Sequence, residues 1–137
     1  MGIVAGFLAA YSVIILVGFP AFERAKPVKA IAQYVAATAQ PSDRIASYRL
    51  NRWTNSWRFY VERPSLFLDD PADLRQFLRE PGRAYCAMFE ADYLRLAEED
   101  LSLRIVYRRE GLLVTTGRGL RQSRHRSWRA FVVVTNQ

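Results

Sequence analysis

The chain has 137 residues, enough for one ordinary domain, and half of them are apolar, which excludes disorder as its main state. A single cysteine (Cys86) excludes an internal disulfide framework, and a single histidine (His125) argues against a local metal cage. Lys and Arg number 20 against 13 Asp and Glu, a net charge of +7, and every cation except Lys26 and Lys29 is an arginine; that choice suits phosphate or carboxylate recognition and equally suits a GC-rich genome.

From Gly2 to Phe22 the sequence carries no charge. As a helix this run would be about 30 Å long, one hydrocarbon thickness. Gly6, Gly18 and Pro20 are more frequent in membrane helices than in soluble ones. A signal peptide would need a cationic start and a cleavage site, and a buried core helix rarely excludes charge for so long. The sequence therefore predicts a membrane span in residues 3–22. A transmembrane helix and hinge over 1–26 then lead into a domain over 27–137.

Pro27 opens a predicted helix over 27–39, with Val28, Ile31, Ala32, Val35 and Ala39 at helical spacing. A turn at Gln40–Asp43 leads to a predicted strand over 44–50. Trp53, Trp57 and Tyr60 fall on one helix face, which predicts a short helix there. Residues 64–68 read as a strand. Asp70 then caps a helix that starts at Pro71, buries Leu74, Phe77 and Leu78, and stops at Pro81-Gly82. Residues 83–89 read as a central buried strand that takes Cys86 as a small apolar residue. A helix over 91–99 follows. Two strands, 103–107 and 112–116, are expected on either side of a turn at Glu110-Gly111, and a last strand begins at Trp128. The alternation predicts a small layered α/β domain with a mostly parallel central sheet, its final strands pairing antiparallel at an edge.

No phosphate loop, nucleophile elbow or cofactor motif is present, and no cofactor is expected. Asp69 and Asp70 are adjacent carboxylates, but Asp70 is better used as a cap. Two groups are candidate binding residues. Arg118, Arg121, Arg124 and Arg126 lie in a stretch without a carboxylate from Arg118 to Gln137. They suit phosphate or an anionic headgroup, or simply a solvated connector. Trp53, Trp57 and Tyr60, with Arg58 beside them, suit interfacial or sugar-stacking contacts, or simply core packing.

The succession PVKAIAQYV, PSDRIASY, WRFYVERP, LDDPADLRQFL, PGRAYCAMFEADYLRL and FVVVTN, after an apolar helix, resembles the C-terminal end of bacterial membrane glycosyltransferases of the GT-C class. The pattern is similar to family 39, the dolichyl-phosphate-mannose-type and aminoarabinose-transferase-like proteins, and covers nearly the whole chain. The resemblance implies an extracytoplasmic α/β domain at the bacterial inner membrane. It also implies three partners: the membrane, a polyprenyl-phosphate sugar donor and the remaining membrane helices of the same enzyme. The family's acidic catalytic loop has no counterpart here, so no catalytic residue carries over and the chain alone is expected to be inactive. Arg24, Lys26 and Lys29 after the apolar run would by themselves place the domain in the cytoplasm, but preceding spans override local charge. The alternative is a single-span membrane protein whose α/β domain binds a partner protein or anionic lipid. Without a nucleic-acid motif to accompany the charge, nucleic acid is not an expected partner.

Overall fold

A strand whose successive side chains are all buried must have something packed on both of its faces. The segment Ala84–Met88 is such a strand, and so is Phe131–Thr135. The computed structural model describes residues 2–20, 26–50, 53–98, 103–112 and 128–137. Its elements in chain order are α1 (Gly2–Val13), a π-helical segment (Ile14–Gly18), α2 (Pro27–Thr38), β1 (Arg44–Tyr48), α3 (Thr54–Val61), β2 (Leu66–Leu68), α4 (Pro71–Arg79), β3 (Ala84–Phe89), α5 (Glu90–Ala97), β4 (Arg104–Leu112) and β5 (Trp128–Thr135).

The strands form one sheet in the order β2-β1-β3-β5-β4. On one face, Val28, Ile31 and Val35 of α2 and Trp57 and Val61 of α3 pack on Ile45, Tyr85, Ala87, Phe131 and Val133. On the other, Leu74, Phe77 and Leu78 of α4 and Leu96 of α5 pack on Ala46, Tyr48, Cys86, Met88, Val132 and Val134. Neighbouring residues of each central strand thus serve opposite cores, giving three layers.

The helix starts follow local chemistry. Pro27 and Pro71 occupy first-turn positions, where the missing N–H costs nothing. Asp70 caps α4 by accepting a hydrogen bond from the Ala72 N–H at 2.7 Å. Gly82, at φ 98°, takes the left-handed turn into β3.

Three expectations are corrected. First, no helix among the described residues is long and apolar enough to cross a membrane. The first α-helix of the apolar run, Gly2–Val13, spans 12 residues, about 18 Å against the roughly 30 Å of a hydrocarbon core, and passes into the π-helical segment at Ile14. Second, the sheet is mixed rather than mostly parallel. β1 pairs parallel with β2 and β3, whereas β5 pairs antiparallel with β3 and β4. β5 thus runs opposite to both of its neighbours, and the parallel pairing is confined to β1 with β2 and β3.

Third, Glu110-Gly111 is not a turn. Both residues lie within β4, opposite Ala130 and Arg129. Gly111 is there for close approach: a Cβ would come within 2.5 Å of the Pro27 ring. A register shift between Ile105 and Tyr107 accommodates Val106, so that Val106 and Tyr107 both serve the α2 core while Ile105 serves the other. Of the expected strand 112–116, residues beyond Leu112 lie outside the described residues.

Candidate functional site

The helices after β1 and β3 leave in opposite directions. α3 follows β1 onto one face, and α5 follows β3 onto the other, although the two strands are neighbours. In open α/β sheets, ligands bind in the crevice outside the carboxyl ends of strands at such a reversal. At this edge Arg49, directly after β1, takes φ 52°, a left-handed conformation that few non-glycine residues adopt. Its Nε donates to the Asp69 carbonyl at 2.9 Å, and its guanidinium stands 5.1 Å from the Tyr48 ring centre.

An open cleft of about 510 Å³ lies at the same edge, between the first turn of α5 and the start of β5. Its lining includes Glu90, Asp92 and Leu94 of α5, and Trp128, Arg129 and Ala130 of β5. Strand alternation puts Trp128 and Ala130 on the α5 side, with Val132 and Val134. Trp128 stays 47 % exposed and Leu94 58 %.

Beside the cleft, Glu90 Oε1 accepts from Arg108 Nε at 2.7 Å and Oε2 accepts from Arg108 Nη2 at 3.1 Å. Glu110 meets the same guanidinium at 3.0 Å. These hydrogen bonds lower the Glu90 pKa, desolvation opposes them, and the charge of Arg108 adds to the lowering. Arg108 moves the other way, raised first by its bond to Glu90. Glu90 is therefore a carboxylate acceptor near neutral pH, unsuited to donating a catalytic proton.

A second concavity, of about 680 Å³, lies at the opposite edge and includes Arg44, Arg58 and Arg63. Two of these arginines are tied up. Arg44 bonds the Phe77 and Glu80 carbonyls and the Glu80 carboxylate, and Arg63 bonds the Ala39 and Gln40 carbonyls.

The candidate aromatic group is split. Trp57 is fully buried in the core beneath α2, with Trp53 and Tyr60 packed partly buried against it. Trp57 therefore offers no face to a ligand. Arg58 is exposed on the far side of α3, 5.5 Å from the Phe67 ring centre. Arg118, Arg121, Arg124 and Arg126 lie outside the described residues. The ends of their segment are fixed, because Leu112 pairs with Trp128 beside the cleft. Asp70 is used as the α4 cap. Cys86 is buried, and burial pushes its thiol pKa far up, so it is no nucleophile. Among the described residues, no group of three or more His, Cys, Asp or Glu side chains is placed to hold a metal ion.

Sequence reasoning missed the cleft. Trp128 read as one more strand residue, and only the β3-β5 pairing brings it next to α5. The visible signal was a large aromatic followed by Arg129 at the start of an otherwise apolar strand. No family model, no curated protein and no solved structure matches the chain.

Proposed function

We propose that this chain is an accessory part of a glycosyltransferase that uses a polyprenyl-phosphate-linked sugar donor, without a catalytic centre of its own. In this reading the α/β domain sits on the extracytoplasmic face of the bacterial inner membrane, against the remaining helices of the enzyme, and helps position donor or acceptor. Arg118, Arg121, Arg124 and Arg126 meet phosphate there, either of the donor or of lipid headgroups.

The observation that carries the reading is the run before the domain. Phe7, Leu8, Tyr11, Ile14, Leu16 and Phe19 are all exposed, Phe7 to 77 %. A run that exposes so many large apolar side chains is stabilised by apolar surroundings, and in this reading the other helices of such an enzyme supply them. The order of sequence segments resembling the GT-C C-terminal end supports the same assignment.

The test is photocrosslinking in the source cells, with a photoreactive phenylalanine analogue at Phe7. Adducts should contain helix peptides of a polyprenyl-phosphate-sugar transferase, identified by mass spectrometry. Adducts without any such peptide overturn the reading.

A further inference from the structure

The geometry points to a sugar-binding subsite in the cleft between α5 and the start of β5, with a pyranose ring stacked on Trp128. This rests on the glycosyltransferase reading and specifies what the domain would hold. A pyranose has C–H faces and a rim of hydroxyls, so its site needs an accessible aromatic plane with hydrogen-bond donors and acceptors around it. The cleft has these parts. Trp128 is half exposed, although the strand that carries it is pinned at Leu112 on one side and leads into a fully buried run at Phe131 on the other. Ala130 is small and leaves room beside the indole. Leu94 supplies a second apolar contact from α5. The Trp128 indole N–H offers a donor, and Glu90 and Asp92 offer acceptors.

The charge pattern selects a neutral polyol over the obvious competitors. Glu90 is held ionised by Arg108, and Glu110 adds a further carboxylate at the same guanidinium. A phosphate would meet these acids. Asp92 meets Arg95 at 3.9 Å and lines the cleft, where its carboxylate oxygens can accept from hydroxyls. A purely apolar ligand would take water from Asp92 without offering it a hydrogen bond. The cleft volume of about 510 Å³ lies within the range of roughly 300–1,000 Å³ usual for small-ligand sites. The cleft opens at the carboxyl end of β3, on the side of that strand where β5 begins.

The experiment uses the full chain, kept in solution with a mild detergent and labelled with nitrogen-15 at the tryptophan indoles. Methyl α-glucopyranoside, methyl α-mannopyranoside and methyl α-galactopyranoside are the probes. Cyclohexanol and inorganic phosphate are the controls. At least one glycoside should shift the Trp128 indole signal saturably, while the buried Trp57 signal stays in place and reports an intact fold. Trp128→Ala should weaken binding about tenfold, Trp128→Phe should keep most of it, and Asp92→Asn should weaken it. Absence of a saturable shift with all three glycosides overturns the inference. So does an equal shift with cyclohexanol or with phosphate, or unchanged affinity in Trp128→Ala. Direct binding needs no transferase, so failure here leaves the Phe7 crosslinking result standing, and failure there leaves this binding result standing.

Discussion

Glu90 and Arg108 join the first turn of α5 to β4 across the intervening strand β5, with both carboxylate oxygens taken by one guanidinium at 2.7 and 3.1 Å. The pair fixes the α5 end of the cleft to the sheet. Both partners are partly exposed, so solvent screens their attraction and position matters more than energy.

Glu90→Gln tests that tie through pH. The Glu90 pKa is lowered in the folded chain. Its contribution is therefore present above the unfolded carboxyl value, about 4.3, and is lost as pH falls through the lower folded value. Glu90→Gln should unfold at a slightly lower temperature than wild type near neutral pH. The two curves should converge in the acid range below about pH 4. Parallel curves at every pH would contradict the assignment.

The Tyr85 hydroxyl is buried and finds no hydrogen-bond partner among the described residues. Tyr85→Phe should leave denaturant stability within about 0.5 kcal/mol of wild type or raise it, since no bond is lost. Burial raises the Tyr85 pKa above 10.0. The neutral hydroxyl's contribution is thus complete below that pH and disappears as pH rises through the raised folded value. Tyr85→Phe should flatten the alkaline loss of stability. A loss of more than about 1 kcal/mol at neutral pH would show that the hydroxyl has a partner after all.

Gly111→Ala should destabilise by about 1–3 kcal/mol in denaturant melts, because its methyl must displace the Pro27 ring and the start of α2. A neutral result would mean that α2 yields freely at its first turn.

Asn136 closes the turn between α4 and β3 from the end of the chain. Its Oδ1 accepts from the Ala84 N–H at 2.9 Å, and its Nδ2 donates to the Leu78 and Gly82 carbonyls at 3.1 and 3.0 Å. Asn136→Ala leaves these groups without partners and should cost about 2 kcal/mol by chemical denaturation. Asn136→Asp should also destabilise, because a carboxylate can keep the bond from the Ala84 N–H but cannot donate to the two carbonyls.

What the sequence made legible was local. Pro27, Asp70 and Pro71 announced two helices through their own backbone chemistry, and the RAYCAMF run announced β3 through burial on both faces. Long-range pairing was not legible. Nothing near Gly111 reveals that Pro27 will lie against it, so a glycine used for close approach read as a turn. The spacing of Trp53, Trp57 and Tyr60 gave their shared helix face, but only the packing of α2 decides that this face is core. The cleft joins residues of α5 and β5 through strand order, which local periodicity does not encode. The apolar N-terminal run read as one long helix because composition does not register the change from α to π hydrogen bonding after Val13.

The most direct measurement is sugar transfer from a polyprenyl-phosphate donor by membranes of source cells from which this coding segment has been deleted, with and without the purified chain added back. The account predicts that the deletion membranes lose most transfer, that the added chain restores it, and that the purified chain alone turns over no donor. Normal transfer by the deletion membranes, or turnover by the chain alone, would contradict it.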